Sequence, residues 1–412
     1  MQDSREASAK LSRRLLFRAL AGATGAMTAA RGAEAGWPGD DNIYSRLLGV
    51  RPLLSVRGHT TIIGGSRMPP EVLRAMAEAN DYFVDLYELN AAAGRRIAAV
   101  MKAEAALVTA GSFSAMILGA AACLTGKDPA KVDALPHPTW PRRECLTQKA
   151  HRFSYDRAYR AAGMTMVDAE TREQLVNAIG ERTAMLAVLA SVERSENRKP
   201  GVMMPQDFVE IGKKTGVPVL IDAASELPPA SVLTRYSGMG ADLVVISGGK
   251  GLEGPQSTGI LAGRRELIEA AALNHSPNTA IGRGMKVGKE EIIGLITALN
   301  RYVKLDHDAV RETWNKKARY IAEQLEGIPG FRAEYRTNAY GFGEVRIGWD
   351  RGKIPLTGKQ AAERLQSGEP RIVYYDDDEG GVLQTRTMCD GEEILAARRL
   401  RQFFRDEAPR GA

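Results

Sequence analysis

The chain has 412 residues, 44% hydrophobic and 26% charged, which excludes wholesale disorder and allows two or three domains. The formal charge of +6 comes from 56 basic and 50 acidic residues that are interspersed, so no Lys/Arg arm marks a nucleic-acid partner. Three cysteines at wide spacing, Cys123, Cys145 and Cys389, exclude a disulfide framework and a cysteine-based zinc site.

At the N-terminus, Arg13-Arg14 precede Leu16 and Phe17, a mild apolar run "ALAGATGAMTAA" follows, and Ala33-Glu34-Ala35 supplies a small-x-small step. This pattern resembles a twin-arginine export signal over residues 1–35 and predicts a periplasmic protein. The alternative is a frayed helix on a cytoplasmic one. The apolar run is too short to span a bilayer, and nothing later is apolar for long enough, so no membrane partner is expected after signal removal.

Residues 36–70 are Gly/Pro-rich and read as an extended arm, with Pro69 and Pro70 suited to opening a helix. Residues 71–103 read helical, with Val72, Met76, Ala79, Phe83, Leu86 and Leu89 recurring at three and four. Seven short apolar runs then alternate with helical stretches. They are Ala105–Thr109, Glu144–Gln148, Met164–Val167, Ala184–Ala190, Val217–Ile221, Leu243–Ile246 and Gly259–Ala262. Such alternation predicts an α/β fold with a mainly parallel sheet covered on both faces, binding ligands at the carboxyl ends of its strands.

The large domain is expected over 71–290. A long helical pattern from about 288 predicts a connecting helix over 291–326. A smaller α+β C-terminal domain follows over 327–412, with strands near Phe331–Tyr335 and Phe342–Ile347 and a final helix from Gly391 to Phe404.

Three strand ends carry candidate chemistry. In "ALVTAGSFSAMILG" a strand ends at Thr109, and Gly111 and Ser112 open a helix. That turn is either a phosphate cradle or an ordinary Ser112 N-cap. In "VPVLIDAASELPP" the carboxylate of Asp222 ends an apolar strand and needs a cation or hydrogen-bond donors. In "SGGKGLEGPQSTG" Lys250 stands among glycines just past a buried strand. It is either a loop charge or an amine whose pKa is lowered by desolvation for Schiff-base chemistry. Pyridoxal 5'-phosphate uses all three features, an anion cradle, an acid for its ring nitrogen and a lysine for its aldehyde.

With "GVRPLLSVRGHTTIIGGSRMPPEV", "AHRFSYDRAYRAAG", "DLVVISGGKGLEGPQSTGIL" and "SPNTAIGRGMKVGKEEIIGL", the chain resembles fold-type-I pyridoxal-phosphate enzymes of the selenocysteine synthase-like and D-glucosaminate-6-phosphate ammonia-lyase-like group, which share a class V aminotransferase-like fold. The resemblance implies that Lys250 holds the cofactor and shuttles the α-proton. It implies that Asp222 binds the pyridine nitrogen and that Ala224 lies beneath the ring. It assigns Gly111, Ser112, Phe113 and Ser247 to the phosphate and His151 to stacking on the ring. It implies that Gln256 reaches the cofactor phosphate of a neighbouring subunit, hence a homodimer or higher homo-oligomer with shared sites.

Arg67, Arg283 and Arg386 are the candidate forks for a substrate carboxylate. The activity implied is α,β-elimination of ammonia-lyase type on a small-molecule amino acid or amino sugar acid. Alternatives are a selenium transferase-like, aminotransferase or racemase activity, or a binding protein that has lost the chemistry. No metal and no nucleic acid are expected.

Overall fold

The computed structural model describes residues 39, 41–194 and 199–408. The export signal expected over 1–35 lies outside the described residues. The described residues divide into two compact units, one between His59 and Val310, the other joining those up to Gly58 with those from Arg311 to Ala408.

The strands in chain order are β1 (Leu54–Ser55), β2 (Ala105–Thr109), β3 (Glu144–Gln148), β4 (Thr165–Ala169), β5 (Thr183–Leu189), β6 (Val219–Asp222), β7 (Leu243–Ser247), β8 (Gly259–Gly263), β9 (Phe331–Thr337), β10 (Gly343–Trp349), β11 (Ile372–Val373), β12 (Tyr375–Asp377) and β13 (Gly380–Gln384). The unit from His59 to Val310 holds a seven-stranded sheet in the order β2-β8-β7-β6-β5-β3-β4. Strands β3 to β7 pair in parallel, and only β8 is antiparallel to its neighbours β2 and β7.

Strict side-chain alternation sends the two faces of the sheet into two cores. Ala106, Val108, Ile221, Val244 and Ile246 join the core beneath helices Leu86–Met101, Pro205–Thr215 and Lys289–Tyr302. Leu107, Leu220, Leu243 and Val245 join the core beneath helices Gly111–Thr125 and Arg265–Asn274. The helix Gly111–Thr125 is buried along most of its length, and a Cβ on its Gly119 would come within 2.6 Å of Leu220. Only a glycine lets it lie that flat on the sheet.

Two helical readings change. Residues 71–103 form two helices, Pro70–Ala79 and Leu86–Met101, because the Asp85 carboxylate accepts from the Tyr87 and Glu88 N–H groups and starts a new helix. Phe83, read as part of an apolar stripe, is in the break and fully exposed. The expected connecting helix is also two, Lys289–Tyr302 and His307–Gln324. Asp306 caps the second through the Asp308 and Ala309 N–H groups.

In the other unit, β12-β13-β10-β9 form an antiparallel sheet, and β1 pairs in parallel with β11. Leu54 and Val56, both 0% exposed, join Ile321, Phe331, Val345, Trp349 and Phe404 in its core. The arm expected over 36–70 is therefore no single extended segment. Its apolar alternation around Leu54 builds a strand in this unit, while residues from His59 onward belong to the other.

Candidate active site at the carboxyl ends of the parallel strands

Gly259 of β8 pairs with Thr109 on one side and with Ser247 on the other, so three strand positions stand in one row. At ordinary strand spacing Thr109 and Ser247 are about 10 Å apart. Asp222 stands opposite Val245 of β7 and Leu189 of β5. Asp222, the Lys250 turn and the Gly111 turn all leave the sheet at this edge.

Asp222 is only 5% exposed, and one carboxylate oxygen accepts from the Ala224 N–H at 3.0 Å. Burial raises its pKa, while that hydrogen bond and the charge of Lys250 oppose the rise. Lys250 follows β7 and is half-buried. Burial lowers its pKa, Asp222 opposes, and Arg194 pushes it further down. Desolvation prevails in both groups, which leaves the amine more easily neutral than an ordinary lysine.

The glycines around Lys250 are required by close approach. A Cβ on Gly249 would come within 2.2 Å of the Gln256 Cα, and one on Gly251 within 2.4 Å of the Leu227 carbonyl oxygen. Ser66 closes over the same turn, its N–H donating to Gly249 and its hydroxyl to the Lys250 carbonyl.

At the other end of the row the helix Gly111–Thr125 begins directly after β2. Its N-cap is Ala110, and no side chain among the described residues caps it. Ser112 is thus not the N-cap. The N–H groups of Gly111, Ser112 and Phe113 open a fifteen-residue helix with no side-chain acceptor at its cap, which suits an anion. Gly111 has φ +80, and Gly259 packs so close that a Cβ would come within 2.7 Å of the Ser112 nitrogen.

His151 is 3% exposed in the turn after β3. Its Nδ1 accepts from the Leu189 N–H at 3.2 Å, so Nε2 carries the proton and donates to the Met203 carbonyl at 3.0 Å. Burial lowers its pKa, and its ring meets Phe208 edge-on at 5.1 Å. With both nitrogens engaged, the imidazole offers a face and no mobile proton.

The remaining expected residues fall as follows. Ala224 is half-buried beside Asp222, and Ser247 is buried at the end of β7. Exposed Gln256 donates to the Thr61 carbonyl of its own chain at 2.9 Å. Arg67 is exposed next to Ser66, and Arg283 is exposed on the loop after helix Arg265–Asn274. Arg386 belongs to the other unit, where it donates to Gln384 at 2.8 Å and lies over the Phe342 ring.

Two pairs escaped the sequence reading. Glu226, 1% exposed, is held by Arg194. Glu253, with φ +58, pairs with Arg301 at 2.8 Å. Glu226 lies in the quoted "DAASELPP", but its partner is 32 residues away, a distance no local pattern spans.

A buried acid, a half-buried lysine and a helix start stand together at the carboxyl ends of the strands, the arrangement expected of the pyridoxal-phosphate enzymes of fold type I. The sequence model of the aminotransferase class-V family matches residues 162–341. The chain is 32% identical over 382 residues to a Streptomyces 5'-C-glycyluridine monooxygenase-decarboxylase, covering 88% of this chain and 93% of that one. It is 29% identical over 376 residues to the D-glucosaminate-6-phosphate ammonia lyase of Salmonella typhimurium, covering 88% and 98%. A solved D-glucosaminate-6-phosphate ammonia-lyase superposes with a TM-score of 0.77 at 27% identity, over 89% of this chain and 99% of that one.

The chain belongs to the fold-type-I pyridoxal-phosphate enzymes of the class V aminotransferase, glucosaminate-6-phosphate ammonia-lyase and selenocysteine synthase-like group. It is an enzyme, and membership implies pyridoxal 5'-phosphate as its cofactor. Among the described residues no helix is long and apolar enough to cross a membrane.

Proposed function

We propose that the protein is an ammonia-lyase-type enzyme that removes the α-proton and a β-substituent from an amino acid or amino sugar acid, with Lys250 as the lysine that holds the cofactor. The observation that carries the reading is the row Thr109–Gly259–Ser247 with Asp222 and Lys250 beside it. It sets an anion cradle, a buried acid and an easily neutral amine along one sheet edge.

When bound, pyridoxal phosphate supplies an electron sink for negative charge at the substrate Cα. The residues of the chain do the rest. The Gly111, Ser112 and Phe113 N–H groups would hold phosphate oxygens, with the Ser247 hydroxyl as a further donor. Asp222 would keep a proton on a ring nitrogen by its negative charge. Ala224 would leave room for a flat ring, and His151 would offer it a neutral face. Lys250, once its amine is free, takes the proton from the substrate Cα. The β-substituent leaves, and the released enamine hydrolyses to a keto acid and ammonia. The carboxylate needs an arginine fork, for which Arg67, Arg283 and Arg386 are the sequence candidates.

A homo-oligomer in the periplasm completes the proposal. The family resemblance at Gln256 supports the first part. Arg13-Arg14 and the Ala33-Glu34-Ala35 step support the second.

The 32% identity to a monooxygenase-decarboxylase favours a second reading, oxidative loss of a carboxylate with oxygen consumed. One experiment separates the two. Purified protein is screened against amino acids and D-glucosaminate-6-phosphate, following ammonia, keto acid, carbon dioxide and dissolved oxygen together. Ammonia and keto acid without oxygen uptake support elimination, while oxygen uptake with carbon dioxide supports the second reading. Unchanged turnover in Lys250→Ala overturns both.

A further inference from the structure

A carboxylate as deeply buried as that of Glu226 must have a cation or donors. Arg194 provides them, its Nε standing 3.2 Å from both Glu226 oxygens and its Nη2 donating to the Ser225 hydroxyl at 3.1 Å. The pairing is lopsided, because the Glu226 side chain is 1% exposed and that of Arg194 is 43% exposed. Glu226 takes the Nε edge of the guanidinium. The outer edge, formed by Nη1 and the second hydrogen of Nη2, meets no acceptor among the described residues.

The location of that edge matters. Arg194 ends the turn that continues β5, Asp222 ends β6, and Lys250 follows β7, and these three strands are neighbours in the sheet. Glu226 is fixed beside the lysine turn, because the carbonyl of its neighbour Leu227 abuts Gly251. Arg194 also acts on Lys250 electrostatically, lowering the pKa of the amine. A guanidinium anchored on one edge by a buried acid is a pre-set fork for a second carboxylate, with little side-chain freedom left to lose.

We propose that Arg194, oriented by Glu226, receives the carboxylate of the amino-acid substrate and thereby decides that this site takes α-amino acids rather than simple amines. The assignment rests on the pyridoxal-phosphate reading of Lys250. It prefers a residue of the strand-end row over Arg67, Arg283 and Arg386. Glu226 is a positioning residue in this arrangement, acting through Arg194.

The test uses the full chain loaded with pyridoxal phosphate and two small probes, aminooxyacetate and O-methylhydroxylamine. Both displace the lysine amine from the aldehyde carbon through their –ONH2 nitrogen, and only the first carries a carboxylate. The visible spectrum gives the rate and affinity for each.

The wild type is expected to prefer aminooxyacetate by about tenfold or more, the ratio that one good charge-assisted contact sustains. Arg194→Gln should bring the ratio close to one, by loss of the aminooxyacetate advantage. Arg194→Lys keeps a cation against Glu226 and guards against misfolding, and it should also lose most of the preference. Glu226→Gln should lose part of it, with the loss seen in affinity. An undiminished preference in folded Arg194→Lys, or its disappearance in Arg386→Gln instead, overturns the assignment. If neither probe alters the spectrum of the wild type, the cofactor reading itself fails and takes this assignment with it.

Discussion

The hydroxyl of Ser66 donates to the main-chain carbonyl of Lys250 across 184 residues of sequence. The segment before the first helix of this unit is thereby fastened to the turn that carries the reactive amine. Ser66→Ala removes one donor from a half-buried carbonyl and should cost about 1 kcal/mol in a urea titration. The neighbouring bond from the Ser66 N–H to Gly249 survives the change. Bound cofactor should dissociate faster in the variant, read as loss of the visible band on dilution. Unchanged stability and retention would detach this segment from the site.

Gly251→Ala tests the steric account of the lysine turn. A Cβ there would come within 2.4 Å of the Leu227 carbonyl oxygen, which belongs to rigid backbone. The expected loss is about 1–3 kcal/mol, with weaker trapping of cofactor on Lys250 by borohydride. Gly180→Ala is the control, since nothing lies within 4 Å of its added carbon. It should move stability by less than about 0.5 kcal/mol.

Those contacts also mark where sequence reasoning stops. Strands β2, β5, β6, β7 and β8 of the large sheet were legible because each is a short, mostly buried apolar run. Asp222 and Lys250 were legible because a charge at the end of such a run has few innocent explanations. The helix breaks near Phe83 and Asp306 were hidden, because an apolar residue in a turn keeps the helical period on paper. β11 was missed because it is only two residues long, and β12 and β13 because they carry exposed acids or glycines. Arg194 and Glu226 were missed because each is an ordinary charge in sequence, and only the fold shows one of them 1% exposed.

Asp222→Asn keeps the shape of the side chain and removes its charge. The buried site should tolerate the amide, since burial already raises the acid's pKa. Cofactor binding should persist, because the cradle and Lys250 are untouched. Turnover should fall by at least about a hundredfold, the scale on which a fixed charge aimed at a reacting group acts. Full activity in the variant would remove Asp222 from the ring nitrogen.

His151→Asn separates a packing role from a titrating one. Both ring nitrogens are spent on the Leu189 N–H and the Met203 carbonyl, and burial lowers the pKa. His151 should therefore contribute no limb to the pH–rate profile between 6 and 8. The variant should be less stable by about 1–3 kcal/mol, because buried main-chain groups lose a partner. Its pH profile should keep the wild-type shape at reduced height. Loss of a limb would make His151 a proton carrier.

Acid stability should report on His275, which is 2% exposed and has no partner at Nδ1 among the described residues. Burial pulls its pKa from 6.5 down to about 4, against a backbone hydrogen bond at Val108. The folded chain therefore stays neutral at this site where the unfolded chain takes up a proton. The unfolded state binds more protons in that window, so stability falls as pH drops from 6.5 toward 4 and levels off below. The full difference is roughly 3 kcal/mol. His275→Gln cannot titrate and should flatten this part of the curve in denaturant titrations at successive pH values. An unchanged acid slope would mean that His275 is protonated in the folded protein, and that a water or an acid reaches the buried Nδ1.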